Sequence, residues 1–247
     1  MKALRRLILG LVLTGLVVLV LAALLAATVP ARFVAGLADP EDQAGLRQVQ
    51  GTLWRGQAQI RPGTGSAVDL EWAWQLPAEW AVTARGDGMD IQGLARPGQG
   101  GLGLSDVRGV VPVARTDLGL WLPHVTPEGE LHLDLPRVDF DGHTVSGLEG
   151  TIRWEDARLR GAVEESLGTV EVVFEPDETG ILARVASLEP APVSVRGSLR
   201  LEDGAYATDL WLRAEPGRPE LSRQLARIGE IQPDGQVRLQ REGRFLP

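Results

Sequence analysis

The sequence contains no cysteine, a single lysine (Lys2), three histidines and one tyrosine. Without thiols there is no disulfide, no thiolate zinc site, no iron–sulfur cluster and no cysteine nucleophile, so the fold is held by packing alone. With lysine confined to position 2, no lysine follows the glycine-rich segment Gly98–Gly103 to build a phosphate loop, and that segment reads as a loop or bulge. His124, His132 and His143 lack a second histidine or carboxylate at a zinc-holding spacing. His132 and Asp134 would share one face of a strand, which solvent-facing alternation accounts for without metal chemistry. None of the serines sits in a Gly-x-Ser-x-Gly elbow. Paired carboxylates occur at Glu164 with Glu165 and at Asp139 with Asp141, beside turns in an acidic chain, where solvated acids are the ordinary reading. The sequence therefore predicts no enzyme, no catalytic, cofactor-binding or metal-binding residue, and no cofactor.

Positive charge is also in deficit. The net charge is −8, and no basic stripe is present that would repay release of counterions from a nucleic acid. Disorder is excluded from the other side, because 44% of residues are hydrophobic and 23% are charged, enough apolar surface to offset the entropy of ordering.

What the chain does have is one long apolar run. Residues 7–29 carry no charge and nothing more polar than Thr14 and Thr28. At ~1.5 Å per residue such a run exceeds the ~30 Å hydrocarbon layer and predicts a single transmembrane helix. A cleaved signal peptide is the competing reading, with small residues at Ala26 and Ala27, but its apolar part usually spans only ~7–15 residues. Lys2, Arg5 and Arg6 precede the run, whereas Arg32 alone follows it before Asp39, Glu41 and Asp42. Positive residues stay inside, so residues 1–6 form a cytoplasmic tail and the rest is exported, as in a bacterial inner-membrane protein with a periplasmic domain. Gly10 and Gly15 would let a partner helix approach, although small residues are ordinary in such helices.

After a juxtamembrane linker over residues 30–45, the period changes from helical to alternating. In residues 67–76, Val68, Leu70, Trp72, Trp74 and Leu76 share one face, opposite Asp69, Glu71 and Gln75. Residues 51–60, 130–138, 145–154, 157–163, 169–174, 181–188, 193–201 and 205–212 read the same way, separated by turn signals at Pro127-Glu-Gly, Asp141-Gly, Glu155-Asp, Pro176 to Gly180 and Glu202-Asp-Gly. Strands at this spacing predict a mainly β fold: an extended, curved antiparallel meander over residues 46–247, with two halves, 46–122 and 123–247, as one option. A short helix or an irregular crossing is expected over residues 113–122 and a short amphipathic helix over 219–228, the latter placing Leu221, Leu225 and Ile228 on one face between Pro219 and Gly229. A hydrophobic residue, any residue and a glycine recur at Val49-Gln-Gly51, Val107-Arg-Gly109, Leu148-Glu-Gly150 and Val195-Arg-Gly197, which predicts reuse of one strand-entry pattern. The seven tryptophans are expected mostly in the core, with one or two lining a groove or a partner patch.

The basic start, the single span, Gly51-Thr-Leu-Trp-Arg-Gly56, and the closing Leu221 to Gly229 followed by Asp234 to Gly243 together resemble the type II secretion system protein N family. That resemblance covers nearly the whole chain but rests on structural glycines and tryptophans. It implies an inner-membrane, periplasm-facing accessory or scaffold subunit of the secretion machine, partnered by other inner-membrane or periplasmic secretion subunits. The hairpins also resemble envelope lipid-handling proteins of the AsmA type. The alternative expectation is therefore a sheet that holds lipid, or an acyl chain, on an open apolar face.

Overall fold

A computed structural model of the chain describes residues 29–31, 46–60, 66–98, 101–116, 125–141, 144–177, 180–188, 190–202 and 204–244. The expected membrane span over residues 7–29 lies outside them apart from Val29, as does most of the 30–45 linker. Among the described residues no helix is long and apolar enough to cross a membrane. The chain divides into two compact units, Met1–Trp74 and Gln75–Pro247.

In the first unit β1 (Leu46–Gly51), β2 (Arg55–Ile60) and β3 (Val68–Gln75) form an antiparallel meander. The alternation expected over residues 51–60 is broken at its start, because Gly51 ends β1 with φ +91° and the chain reverses through residues 52–54. The Thr52 amide donates to the Arg55 carbonyl at 2.8 Å and the Arg55 amide to the Thr52 hydroxyl at 3.3 Å, closing the turn. The Trp72 indole donates to the Thr52 carbonyl at 3.1 Å, and its ring occupies the space that a side chain on Gly56 would need. Trp54 and Trp74 meet edge to face at 5.1 Å. The Gly51 to Gly56 motif is thus a turn in which Gly51 admits the returning backbone and Gly56 a tryptophan ring.

In the second unit β4 (Glu79–Gly86), β5 (Met89–Pro97), β6 (Gly101–Pro112), β7 (Val125–Asp141), β8 (Thr144–Gly161), β9 (Glu165–Asp177), β10 (Gly180–Ser187), β11 (Val193–Glu202) and β12 (Ala205–Ala214) pair in sequence order, all antiparallel. A short helix, α1 (Pro219–Leu225), then leads to β13 (Glu230–Ile231) and β14 (Val237–Arg244); β14 pairs with β12, and β13 lies outside β14. Of the helix expected over residues 113–122, a single 3-10 turn, Val113–Arg115, is formed, and residues 117–122 lie outside the described ones.

Two expected turns are bulges inside long strands. Pro127-Glu-Gly lies within β7, where the register shifts between Glu128 and Glu130 around Gly129 at φ +115°. Glu155-Asp lies within β8, with Asp156 at φ +49°, so residues 145–154 and 157–163 belong chiefly to one strand of 18 residues. An Asp or Gly in a left-handed conformation serves a bulge as well as a turn, which is why the sequence signal is the same. The repeated hydrophobic-x-Gly triplets are likewise not strand entries. Gly109, Gly150 and Gly197 lie inside strands with φ of +156°, +126° and +154°, and Gly51 ends one.

Register puts apolar side chains on one face of the second unit. Leu131, Trp154 and Val170 align across β7 to β9; Ile152, Val172 and Val185 across β8 to β10; Leu212 and Val237 across β12 and β14. The opposite face carries arginine–carboxylate pairs between strands: Arg108 with Asp134 at 3.2 Å, Arg153 with Glu171 at 3.0 Å, and Arg184 with Glu175 at 2.5 Å. Each exposed pair adds little alone, roughly 0.2–1 kcal/mol, but opposite charges across strands disfavour a slipped register.

One pair gives a pH prediction. Asp209 accepts hydrogen bonds from Arg238 Nε at 2.7 Å and Nη2 at 2.5 Å, and Arg238 stacks over Trp211 at 5.1 Å. Those hydrogen bonds, with the guanidinium charge as a further cause and partial burial opposing, hold the Asp209 carboxyl below its usual range. A carboxyl depressed in the folded state stabilises above its unfolded pKa, and the benefit disappears as pH falls through the folded value. Asp209→Asn is therefore expected to lower the denaturant midpoint slightly at pH 7, with the gap to wild type closing as the pH is taken through and below the carboxylate range.

Candidate functional site

The apolar face of the second unit is covered unevenly. α1 lies over one end of it, with Leu221, Leu225 and Ile228 at 3%, 1% and 4% exposure against Val195, Leu212, Val237 and Leu239. Pro219 opens the helix, and Arg218 just before it reaches Glu165 of β9 at 2.6 Å, fixing where the helix starts. Beyond the helix the side chains of Ile152, Val172, Val185, Leu199 and Leu210 are only half-buried.

There the face is hollow. A cavity of about 280 Å³ lies among side chains of β7 to β12 and β14, including Trp154, Phe174, Leu199 and Leu210. Register explains the hollow: the row Val172, Val185, Gly197, Leu210, Leu239 has no side chain at Gly197. The next row runs Phe174, Ala183, Leu199, Thr208, Arg241, and it ends the cavity with the two polar residues of its lining. Arg241 is exposed, and no ion pair joins it to a described carboxylate. Neither residue is singled out by the sequence reading, although Arg241 continues the alternation Val237, Leu239, Arg241 onto the apolar face.

A second cavity, about 620 Å³, is polar and lies at the ends of the hairpins, lined by Arg137, Asp139, Glu149 and Asp177 among others. Its acids are largely engaged: Asp139 with Arg137 at 2.5 Å and Asp177 with Arg200 at 3.6 Å.

The candidate chemical pairs do not assemble. His132 lies 3.4 Å from Glu155 and 3.8 Å from Glu130, while Asp134 is taken by Arg108. Glu165 is engaged by Arg218 and Glu164 is exposed. His124, His143 and Trp121 lie outside the described residues. Each described tryptophan is half-buried rather than fully enclosed, and Trp211 lies on the charged face, where Arg238 stacks over it. Trp154 lines the apolar cavity and donates to the Glu128 carbonyl at 2.9 Å.

A family model described as type II secretion system (T2SS), protein N matches residues 42–240. The chain belongs to this family. No curated protein and no solved structure matches it. The matched span begins ahead of β1 and ends inside β14, so it takes in the Gly51 to Gly56 turn, α1 and the lining of the hollow apolar face except Arg241. Membership in the type II secretion system protein N family makes the chain an accessory subunit of protein secretion and agrees with the resemblance read from its glycines and tryptophans.

Proposed function

We propose that the protein is an inner-membrane subunit of the type II secretion machine, anchored by residues 7–29 with its β-rich part in the periplasm, and that it acts by contact with other secretion subunits rather than by catalysis. The family match carries this reading. The basic start and the apolar run that follows support the anchoring and its direction.

The outer edge of the sheet at β14 is the surface best suited to such contact. β13 pairs only with Val237 and Arg238, so among the described strands nothing pairs with the outer edge of β14 from Leu239 onward. Ile231, on β13 itself, is 64% exposed. An open edge recruits a partner strand through main-chain hydrogen bonds. A photocrosslinking amino acid at Glu242, in cells expressing the whole secretion system, is expected to trap a secretion subunit, whereas one at Asp69 in β3 serves as the comparison. Recovery of no secretion subunit from either position would refute the contact role.

A further inference from the structure

We infer that the hollow apolar face of the second unit holds one acyl chain of an anionic phospholipid, with Arg241 at its mouth binding the phosphate. The inference goes beyond the secretion reading and stands apart from it, because it uses the interior of the sheet and not its edge.

Three observations select this occupant. The first is size: about 280 Å³ is some nine times the ~30 Å³ that one water takes in the liquid, room for a chain segment of about as many methylenes. The second is the wall. Around the hollow, β9, β10, β11 and β12 are each paired on both sides, so their amides and carbonyls are already used. A peptide laid there would bury its own backbone polar groups with nothing to satisfy them, whereas a hydrocarbon chain has none. The third is charge. Among the lining side chains the single charged group is Arg241, beside Thr208, and no carboxylate lines the space. A guanidinium without a described acidic partner fits a phosphate, and its methylene stem lies over apolar surface without cost.

The test uses the full chain incorporated into phosphatidylethanolamine vesicles that carry phosphatidylglycerol with a diazirine on one acyl chain. After irradiation, labelled peptides are mapped by mass spectrometry, and label on residues 7–29 serves as the internal reference. Label is expected on peptides containing Phe174, Leu199 or Leu210. Leu210→Trp, which fills the hollow, is expected to reduce that label to background while the reference is kept. Arg241→Glu, at an exposed position that leaves the fold intact, is expected to reduce it about tenfold, and to leave label from a zwitterionic phosphatidylcholine probe unchanged. Circular dichroism checks that both variants fold. Label confined to residues 7–29 would overturn the inference, as it would if the hollow were filled by a partner's or this chain's own side chains. Equal label from the two lipids, insensitive to Arg241, would overturn the anionic lipid as occupant. Loss of the Glu242 crosslink with secretion subunits would leave this result untouched, so the two readings fail separately.

Discussion

Gly197→Ala is expected to destabilise the second unit by about 3 kcal/mol or more, a large share of the ~5–15 kcal/mol that holds a domain together. Gly197 has φ +154°, where an L side chain carries a strain of roughly 1–3 kcal/mol. An added Cβ would also lie 2.1 Å from the Asp209 carbonyl oxygen and 2.8 Å from the Leu210 Cα. Both are backbone atoms of β12, which is itself held between β11 and β14, so neither can yield without disturbing two ladders. Gly235→Ala separates the two costs. Gly235 has φ +78° with nothing within 4 Å of its added Cβ, so only the conformational penalty of about 1–2 kcal/mol applies. Denaturant titration of both variants checks this, and equal losses would show that the close approach at Gly197 carries no weight. Gly109, whose added Cβ would sit 2.1 Å from the Asp90 carbonyl, is expected to behave like Gly197.

The same residue shows how far the sequence could be read. Val195-Arg-Gly197 is visible as a repeated triplet, and its recurrence at Gly109 and Gly150 does mark a shared device. Its meaning, a positive-φ approach to the neighbouring strand, depends on which backbone lies opposite, and register is not local information. The alternation of β3 and of β9 to β12 was readable because one face is apolar and the other carries charges, a pattern that needs no knowledge of partners. The strands from Glu79 to Pro112 give a weaker signal, since Gly93 interrupts the alternation of β5 and Gly103 and Gly109 that of β6. The bulges at Gly129 and Asp156 carry the sequence signal of turns for a related reason: a left-handed residue reverses the chain or only kinks it according to tertiary pairing. The hollow was the least accessible feature. It arises from a missing side chain on one strand set between Val185 and Leu210 on two others, and nothing within any single strand announces it.

Leu225→Ala is the second substitution expected to have a large effect, about 2–5 kcal/mol by loss of transfer energy plus the cavity left behind. Leu225 is 1% exposed and packs in the cluster that joins α1 to β9, β11, β12 and β14. Seven residues are too few to remain helical unaided, since an isolated helix is marginal below about 12–15 residues. Truncating the side chain that seats α1 therefore loosens the whole helix, not just one contact, and uncovers Val195, Leu212 and Val237, now 7%, 5% and 1% exposed. Hydrogen exchange distinguishes this from a simple cavity. The Ala226 and Ile228 amides, which donate to Ser222 and Leu225 carbonyls at 3.1 and 3.0 Å, are expected to lose protection in the variant well before the β11 and β12 amides do. Protection lost evenly across helix and sheet would mean that α1 is not a separately released cover. In that case the uneven burial of the apolar face, closed at the helix and hollow beyond it, would need another cause. Leu76→Ala, at a side chain 87% exposed, is the matched control, with a change within about 0.5 kcal/mol.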